Sequence, residues 1–440
     1  MRFVKGYEKS RVVLSESRRL DLSSVPEAVL DSSERMFGER LTPLEVVSRI
    51  VEDVRENGDE AIRRLSLLIE GSEHDLIEVD PDIVAAAADS VDERVLDALA
   101  TSAERVRDYH QSSMTNDWMD FAAGYGALVR PCERVGVYIP GGSAPLPSTA
   151  IMTAIPARVA GVEEIILCSP AKSDGLPDPV VLAAARIAGV DRVFAIGGAQ
   201  AIAAMAYGTE SVPAVDMVCG PGNLFVTLAK KLVYGDVGID GLYGPTETLI
   251  IADSSANPTL CAADLLAQAE HDALARPVLV CTSEPLGEQV AREVETRLRR
   301  LSRESVARAS VEGQGTIALV ETTEQAIHLA NLFAPEHMCL AVRDPWSWVG
   351  KIKNAGAVFL GEFSHEVLGD YVAGPSHVMP TSGTARFNSG VGVHKFLKTI
   401  PVIALDDAES MDLSQTAAVI ARAEGLTAHA EAAEIRQELA

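Results

Sequence analysis

The stretch "DLLAQAEH" (residues 264–271) sets Asp264, Gln268 and His271 at i, i+4 and i+7. On a helix, an acid, an amide and an imidazole would then share one column, with Leu265, Leu266 and Ala269 on the other sides. Such a column is either a solvated helix face or a set of ligands. Seven of the nine histidines lie after residue 270, so the column has partners to look for. "FAPEHMCL" (333–340) puts Glu336 beside His337 after a proline. An adjacent carboxyl and imidazole can supply two proton-transfer groups, or be a loop pair with no role. "GDYVAGPSH" (369–377) offers Asp370 and His377, and "EGLTAHA" (424–430) offers Glu424 and His429. Gln268, His271, Asp370 and His429 together present two nitrogens and two oxygens, a donor set that suits Zn²⁺ with positions open for a substrate. Spacing alone does not gather them, since they are spread over about 160 residues. His74 and His110 read as surface residues, and His328 as part of a helix face.

Short β-rich runs must position these groups. "VGVYIP", "EEIILCSP", "DRVFAIGG" and "VDMVCGPGN" each end in a Gly or Pro turn, with helical stretches such as "PVVLAAARIAG" between them. The alternation resumes after Gly244 with "TLIIAD", "PVLVCTS", "GTIALVE" and "AGAVFLG". Strands alternating with helices predict parallel sheets, so the expected class is α/β with two Rossmann-like parallel domains. The first 130 residues read as mostly helical. Thr42 before Pro43 opens a 3.6-residue apolar period through residue 70. No G-x-G-x-x-G follows a strand, so a standard dinucleotide fingerprint is not signalled. "PGG", "IGGAQA", "CGPGN" and "YGPTE" are turns that could present backbone N–H groups to phosphate. The Gly-rich segment from residue 364 to 390 is long enough for a functional loop. The final segment reads as helix broken at Gly425.

Composition narrows the partners. The chain has 440 residues, 47% of them hydrophobic, and a net charge of −25 from 63 acids and 38 bases. An acidic chain does not suit nucleic acid or an anionic membrane. No run of about 18 apolar residues is uninterrupted, and the N-terminus has charges where a signal peptide needs its apolar segment. The six cysteines are scattered and read as reduced core thiols of a cytoplasmic protein.

Eight blocks, "YIPGGSAPLPSTAIMTAIPARVAGV", "GGAQAIAAMAYGTESVP", "GPGNLFVTLAKK", "GPTETLIIAD", "DLLAQAEHD", "APEHM", "LGDYVAGPSHVMPTSGTARF" and "AEGLTAHAEAAEIR", stand in the order found in histidinol dehydrogenases. The chain resembles that family over roughly residues 30 to 435. The resemblance implies an NAD- and zinc-dependent enzyme at the end of histidine biosynthesis, oxidising L-histidinol to L-histidine through the aldehyde. The family's metal ligands fall on Gln268, His271, Asp370 and His429, and its acid–base pair on Glu336 and His337. Substrate-contacting positions fall on Thr246, His377 and Glu424 as well as on the ligands and His337. NAD-contacting positions fall on Tyr138, Gln200 and Asn223. Asp264 and Glu270 are assigned to neither set. The implied layout is an N-terminal arm (1–30), a discontinuous α/β domain (31–134 with 247–386), an NAD-binding α/β domain (135–246) and a helical C-terminal segment (387–440). That last segment would cross to the partner in an intertwined homodimer, so that His429 serves the neighbour's site. Two positions depart from the family pattern: Thr246 replaces a common Ser, and Tyr243 stands where a small residue is common. Tyr243 could narrow a pocket wall, and some relatives oxidise other small polyols, such as sulfonated propanediols.

Overall fold

The computed structural model describes residues 1–15, 27–70, 77–141 and 145–438. The chain divides into two units: Met1–Ser113 with Cys132–Phe396, and Met114–Pro131 with Leu397–Ala440. The expectation for His74 lies outside the described residues.

The first unit is α/β with two parallel sheets. In one, the strands run in the order Arg192–Phe194, Glu164–Cys168, Arg134–Tyr138, Met217–Cys219, Gly238–Ile239. In the other they run Arg2–Lys5, Thr316–Leu319, Arg276–Cys281, Glu247–Ala252, His337–Ala341, Ala357–Leu360. Every residue of Glu247–Ala252 is buried, as befits a central parallel strand covered by helices on both faces. The two-residue alternation sorts the core. Leu249, Ile251, Met338 and Leu340 pack on one face, and Ile250, Ala252, Cys339 and Phe359 on the other. His337 falls on the second face, the one covered by the helix Pro258–Ala269. The N-terminal arm is not merely an arm: Arg2–Lys5 adds an edge strand, which its charged composition hides.

The helix Pro258–Ala269 begins with Asn257, whose side chain accepts from Thr259 N, and with Pro258 in the first turn. It stops before the expected end. Glu270 caps it, and His271 sits in the following turn with its N–H donating to Gln268 O at 3.2 Å. Asp272 Oδ1 accepts from Leu274 N at 2.8 Å and closes that turn into the next strand. The predicted helix Pro43–Glu70 forms but kinks at Gly58, where φ is 52° and the Glu210 carboxylate fills the space of a Cβ. His110 is not a surface residue. It lies 1% exposed, in the buried stripe Leu99, Ser102, Ala103, Val106, His110 of helix Glu93–Ser112. That spacing of three and four residues is a helix's core face, which its polar ring conceals.

Residues 387–440 are expected to be helical, but the second unit, which takes in most of them, also contains strands. It holds an antiparallel sheet in the order Leu397–Ile403, Tyr125–Pro131, Trp118–Asp120. Two helices follow, Asp407–Ala423 and Thr427–Glu438, packed on each other. Between them Gly425 adopts φ 77°, and Leu426 N donates back to Ala421 O at 2.8 Å. All six cysteines are buried thiols outside any disulfide. Among the described residues no helix is long and apolar enough to cross a membrane.

Candidate active site

A cleft of about 430 Å³ opens in the first unit. Its walls come from opposite edges of the two sheets. Pro140 and Gly141, and Pro221 to Asn223, follow the carboxyl ends of strands Arg134–Tyr138 and Met217–Cys219. Thr246 and Glu336 instead stand just before the amino ends of Glu247–Ala252 and His337–Ala341.

The second wall gathers most of the expected groups. Gln268, 1% exposed, donates through Nε2 to Asp370 Oδ2 at 3.0 Å. His337 Nε2 lies 3.1 Å from Asp370 Oδ1, and its Nδ1 donates to the Glu247 carbonyl at 3.2 Å. Glu336 Oε2 accepts from Thr246 Oγ1 at 2.6 Å and from Glu247 N at 3.1 Å. His377 Nδ1 donates to the Asp370 carbonyl at 2.6 Å, with its Nε2 3.3 Å from Thr149 Oγ1. His271 lines the same cleft and is exposed.

Burial sets the charges. It pushes the Glu336 carboxyl up to about 7, against the opposing pull of His337, Thr246 and Glu247 N. Burial works to lower His337, but Glu336, the bond to Asp370 and Glu366 outweigh it and raise the imidazole to about 10. Asp370 is also penalised by burial, yet its bond to His337 leaves it below the usual carboxylate range. His377 is lowered by burial.

Sequence reasoning missed one acid behind this wall, Glu366, and left another, Asp264, unassigned. Glu366 is fully buried and accepts from Thr248 Oγ1 and, at 2.9 Å, from Cys339 Sγ. It lies one helical turn before Asp370, a spacing that could have been read as Asp264–Gln268 was. Asp264 is no solvated helix residue: burial, then Glu366 and Glu362, push it up to about 7.

The positions expected to contact NAD divide. Asn223 lines the cleft and caps the helix Leu224–Val233 through Oδ1, leaving its amide nitrogen free of that task. Tyr138 and Gln200 lie beneath the surface, 3% and 0% exposed. Tyr138 OH accepts from Gly198 N at 3.1 Å, and neither polar atom of Gln200 has a protein partner among the described residues. Glu424 and His429 are exposed on the second unit.

A cleft that joins the carboxyl edge of one parallel sheet to buried acid–base groups on another defines an α/β enzyme built for proton transfer. The chain belongs to the histidinol dehydrogenase family, a family of oxidoreductases, whose model matches residues 38–437. It is 49% identical over 440 residues to the histidinol dehydrogenase of Deinococcus radiodurans, covering 99% of this chain and 100% of that one. It is 52% identical over 395 residues to the histidinol dehydrogenase of Thermus thermophilus, covering 89% and 94%. The crystal structure of histidinol dehydrogenase from Elizabethkingia anophelis superposes with a TM-score of 0.89 at 33% identity, covering 100% of this chain and 98% of that one.

Proposed function

We propose that the chain oxidises L-histidinol to L-histidine through L-histidinal in the cytoplasm, passing two hydrides to NAD with zinc in the site. The observation that carries this reading is the buried Glu336–His337 pair beside Gln268 and Asp370, in a chain of this family. The donor chemistry fits a divalent cation. Gln268 and Asp370, joined by a hydrogen bond, line the cleft together with His271 at the carboxyl end of a helix, where the dipole favours positive charge, and their amide, carboxylate and imidazole are donors that suit such an ion. Among the described residues no three His, Cys, Asp or Glu side chains are grouped to hold a metal. The proposed set is Gln268, His271 and Asp370, completed by His429 from a second copy. Bound there, zinc would supply a Lewis-acid anchor that orients the substrate.

His337 is the base of the first oxidation. Its Nδ1–H is committed to the Glu247 carbonyl, so Nε2 is the atom that would take the alcohol proton once a bound cation draws off the Asp370 carboxylate that otherwise holds a proton there. Glu336 takes a proton from the water that adds to the aldehyde, and Thr246 and Glu247 N hold that carboxyl in place. Thr246, His377 and Glu424 contact substrate. Tyr138, Gln200 and Asn223 serve NAD.

A homodimer with shared sites is supported by the second unit. Its apolar side chains include Phe121, Ile403 and Val419, exposed by 88%, 78% and 70%. Glu424 and His429 stand on its helices, available to a neighbouring copy. The deciding experiment supplies NAD with either L-histidinol or a sulfonated propanediol. Two NADH per L-histidinol support the reading; turnover of the sulfonated polyol alone sinks it.

A further inference from the structure

Asn223, Thr227 and Lys230 stand at i, i+4 and i+7 along the helix Leu224–Val233 and its cap, so they share one face. Lys230 is 2% exposed and pairs with Asp240, 1% exposed. Burying such a pair costs desolvation, and apolar side chains of similar volume commonly serve stability as well. What distinguishes this pair is where its remaining bonds go. Lys230 Nζ donates to Gly220 O at 2.8 Å, and Gly220 N donates to Asp240 Oδ2 at 2.8 Å. Gly241 N donates to Asp240 Oδ1 at 2.9 Å. The ammonium also lies 4.8 Å from the Tyr243 ring centroid, and Thr227 Oγ1 donates to Tyr243 O at 3.0 Å.

Both turns held in this way run straight into the cleft. Pro221 to Asn223 follow Gly220 on one wall, and Tyr243 to Thr246 follow Gly241 on the other. Gly220 has no room to adjust: its φ is +115°, and a Cβ there would lie 2.2 Å from Tyr138 O. Tyr243, out of place by the family pattern, supplies the ring beneath the ammonium.

We propose that Lys230 and Asp240 are positioning residues that latch the 220–223 turn to the 241–246 segment, fixing the nucleotide wall against the substrate wall. The proposal rests on the reading of Asn223 as a nucleotide contact. Hydride transfer depends steeply on the separation of donor and acceptor, and a shift of about 1 Å can cost a hundredfold. The latch therefore acts on NAD binding and on kcat, not on binding of the amino alcohol.

The test replaces the pair together, Lys230→Met with Asp240→Leu, so that no lone charge is left buried. Circular dichroism reports folding, and steady-state kinetics are run with each substrate varied in turn. The expected result is a KM for NAD raised about tenfold and a kcat lowered about ten- to a hundredfold, with the KM for L-histidinol within about twofold. Thr227→Val keeps the charges and shape and removes one tie; it should raise the KM for NAD about threefold, and it decides the matter if the double variant does not fold. An unchanged KM for NAD in the folded double variant, or in Thr227→Val where the double variant does not fold, overturns the latch. So does a loss shared equally by both KM values. Asn223→Ala separates the two ideas. If it raises the KM for NAD while the latch variants do not, only the latch fails. If it too changes nothing, the nucleotide-wall reading fails.

Discussion

Thr246 Oγ1 lies 2.6 Å from Glu336 Oε2 and 2.8 Å from Gln268 Oε1, yet a hydroxyl has one proton to donate. Both contacts are satisfied when Glu336 carries a proton and donates to Thr246, which donates to Gln268. Burial that pushes Glu336 up to about 7 makes this state accessible. Thr246→Val keeps the volume and breaks the relay. Leaving the Glu336 hydroxyl and the Gln268 oxygen unmatched costs about 1–3 kcal/mol, so kcat should fall about ten- to a hundredfold, while Thr246→Ser keeps most activity. Steady-state kinetics of the two variants check this; an active valine variant refutes the relay.

Glu336→Gln should slow oxidation of supplied L-histidinal far more than the first hydride transfer from L-histidinol. A carboxylate that activates water matters only once the aldehyde exists. The step it serves should lose about a hundred- to ten-thousandfold. His337→Asn should harm the alcohol step at least as badly. Single-turnover NADH formation from alcohol and from aldehyde decides, and equal losses for Glu336→Gln would refute the division of labour.

Chelation should abolish turnover without unfolding the chain, because a core of this size does not need a metal to form. The far-ultraviolet spectrum should stay unchanged while activity disappears and returns with added Zn²⁺. Full activity after complete chelation would remove zinc from the proposal.

His271→Ala and His429→Ala subunits, each inactive alone, should regain activity when mixed and allowed to exchange. A heterodimer of the two has one cleft with all four ligands intact. Exchange is followed by tag-based copurification; confirmed heterodimers without activity would show that the sites are not shared.

Asp264→Asn should stabilise the protein near pH 8 and do little near pH 4. The folded-state carboxyl is raised to about 7, above its ordinary value, so the folded state binds the proton more tightly than the unfolded chain. That contribution is fully present below about pH 4 and is lost as pH rises through about 7. The amide mimics the protonated acid at every pH. Urea midpoints across this range check it, and a gain that persists unchanged at pH 4 contradicts it.

The parallel sheets were legible because buried parallel strands are continuous apolar runs ending at Gly or Pro turns. Gln268, Glu336, His337 and Asp370 were legible as residue types, and the structure brings them within hydrogen-bond reach of one another or of Thr246. What stayed hidden depended on tertiary contact. The edge strand Arg2–Lys5 forms only because Thr316–Leu319 offers it a ladder. His110 was misread because a ring that is polar in type is buried here without a partner for either nitrogen among the described residues. Lys230 looked like any helix lysine, since its acid lies ten residues on, beyond a helix end and a strand.

The opposed edges that form the cleft also divide what can be redesigned from what cannot. Glu336 leads into a central strand that His337 opens, and the neighbours on both sides fix that strand's backbone, residue by residue. A change of length there would shift the strand's register and turn its apolar side chains to the wrong face. On the opposite wall Gly141 and Leu146 lie outside any strand, so a side chain there can be exchanged without disturbing a ladder. New substrate preferences for this scaffold would therefore be sought by varying Gly141 and Leu146, leaving the latched turns and the chemistry on the other wall untouched.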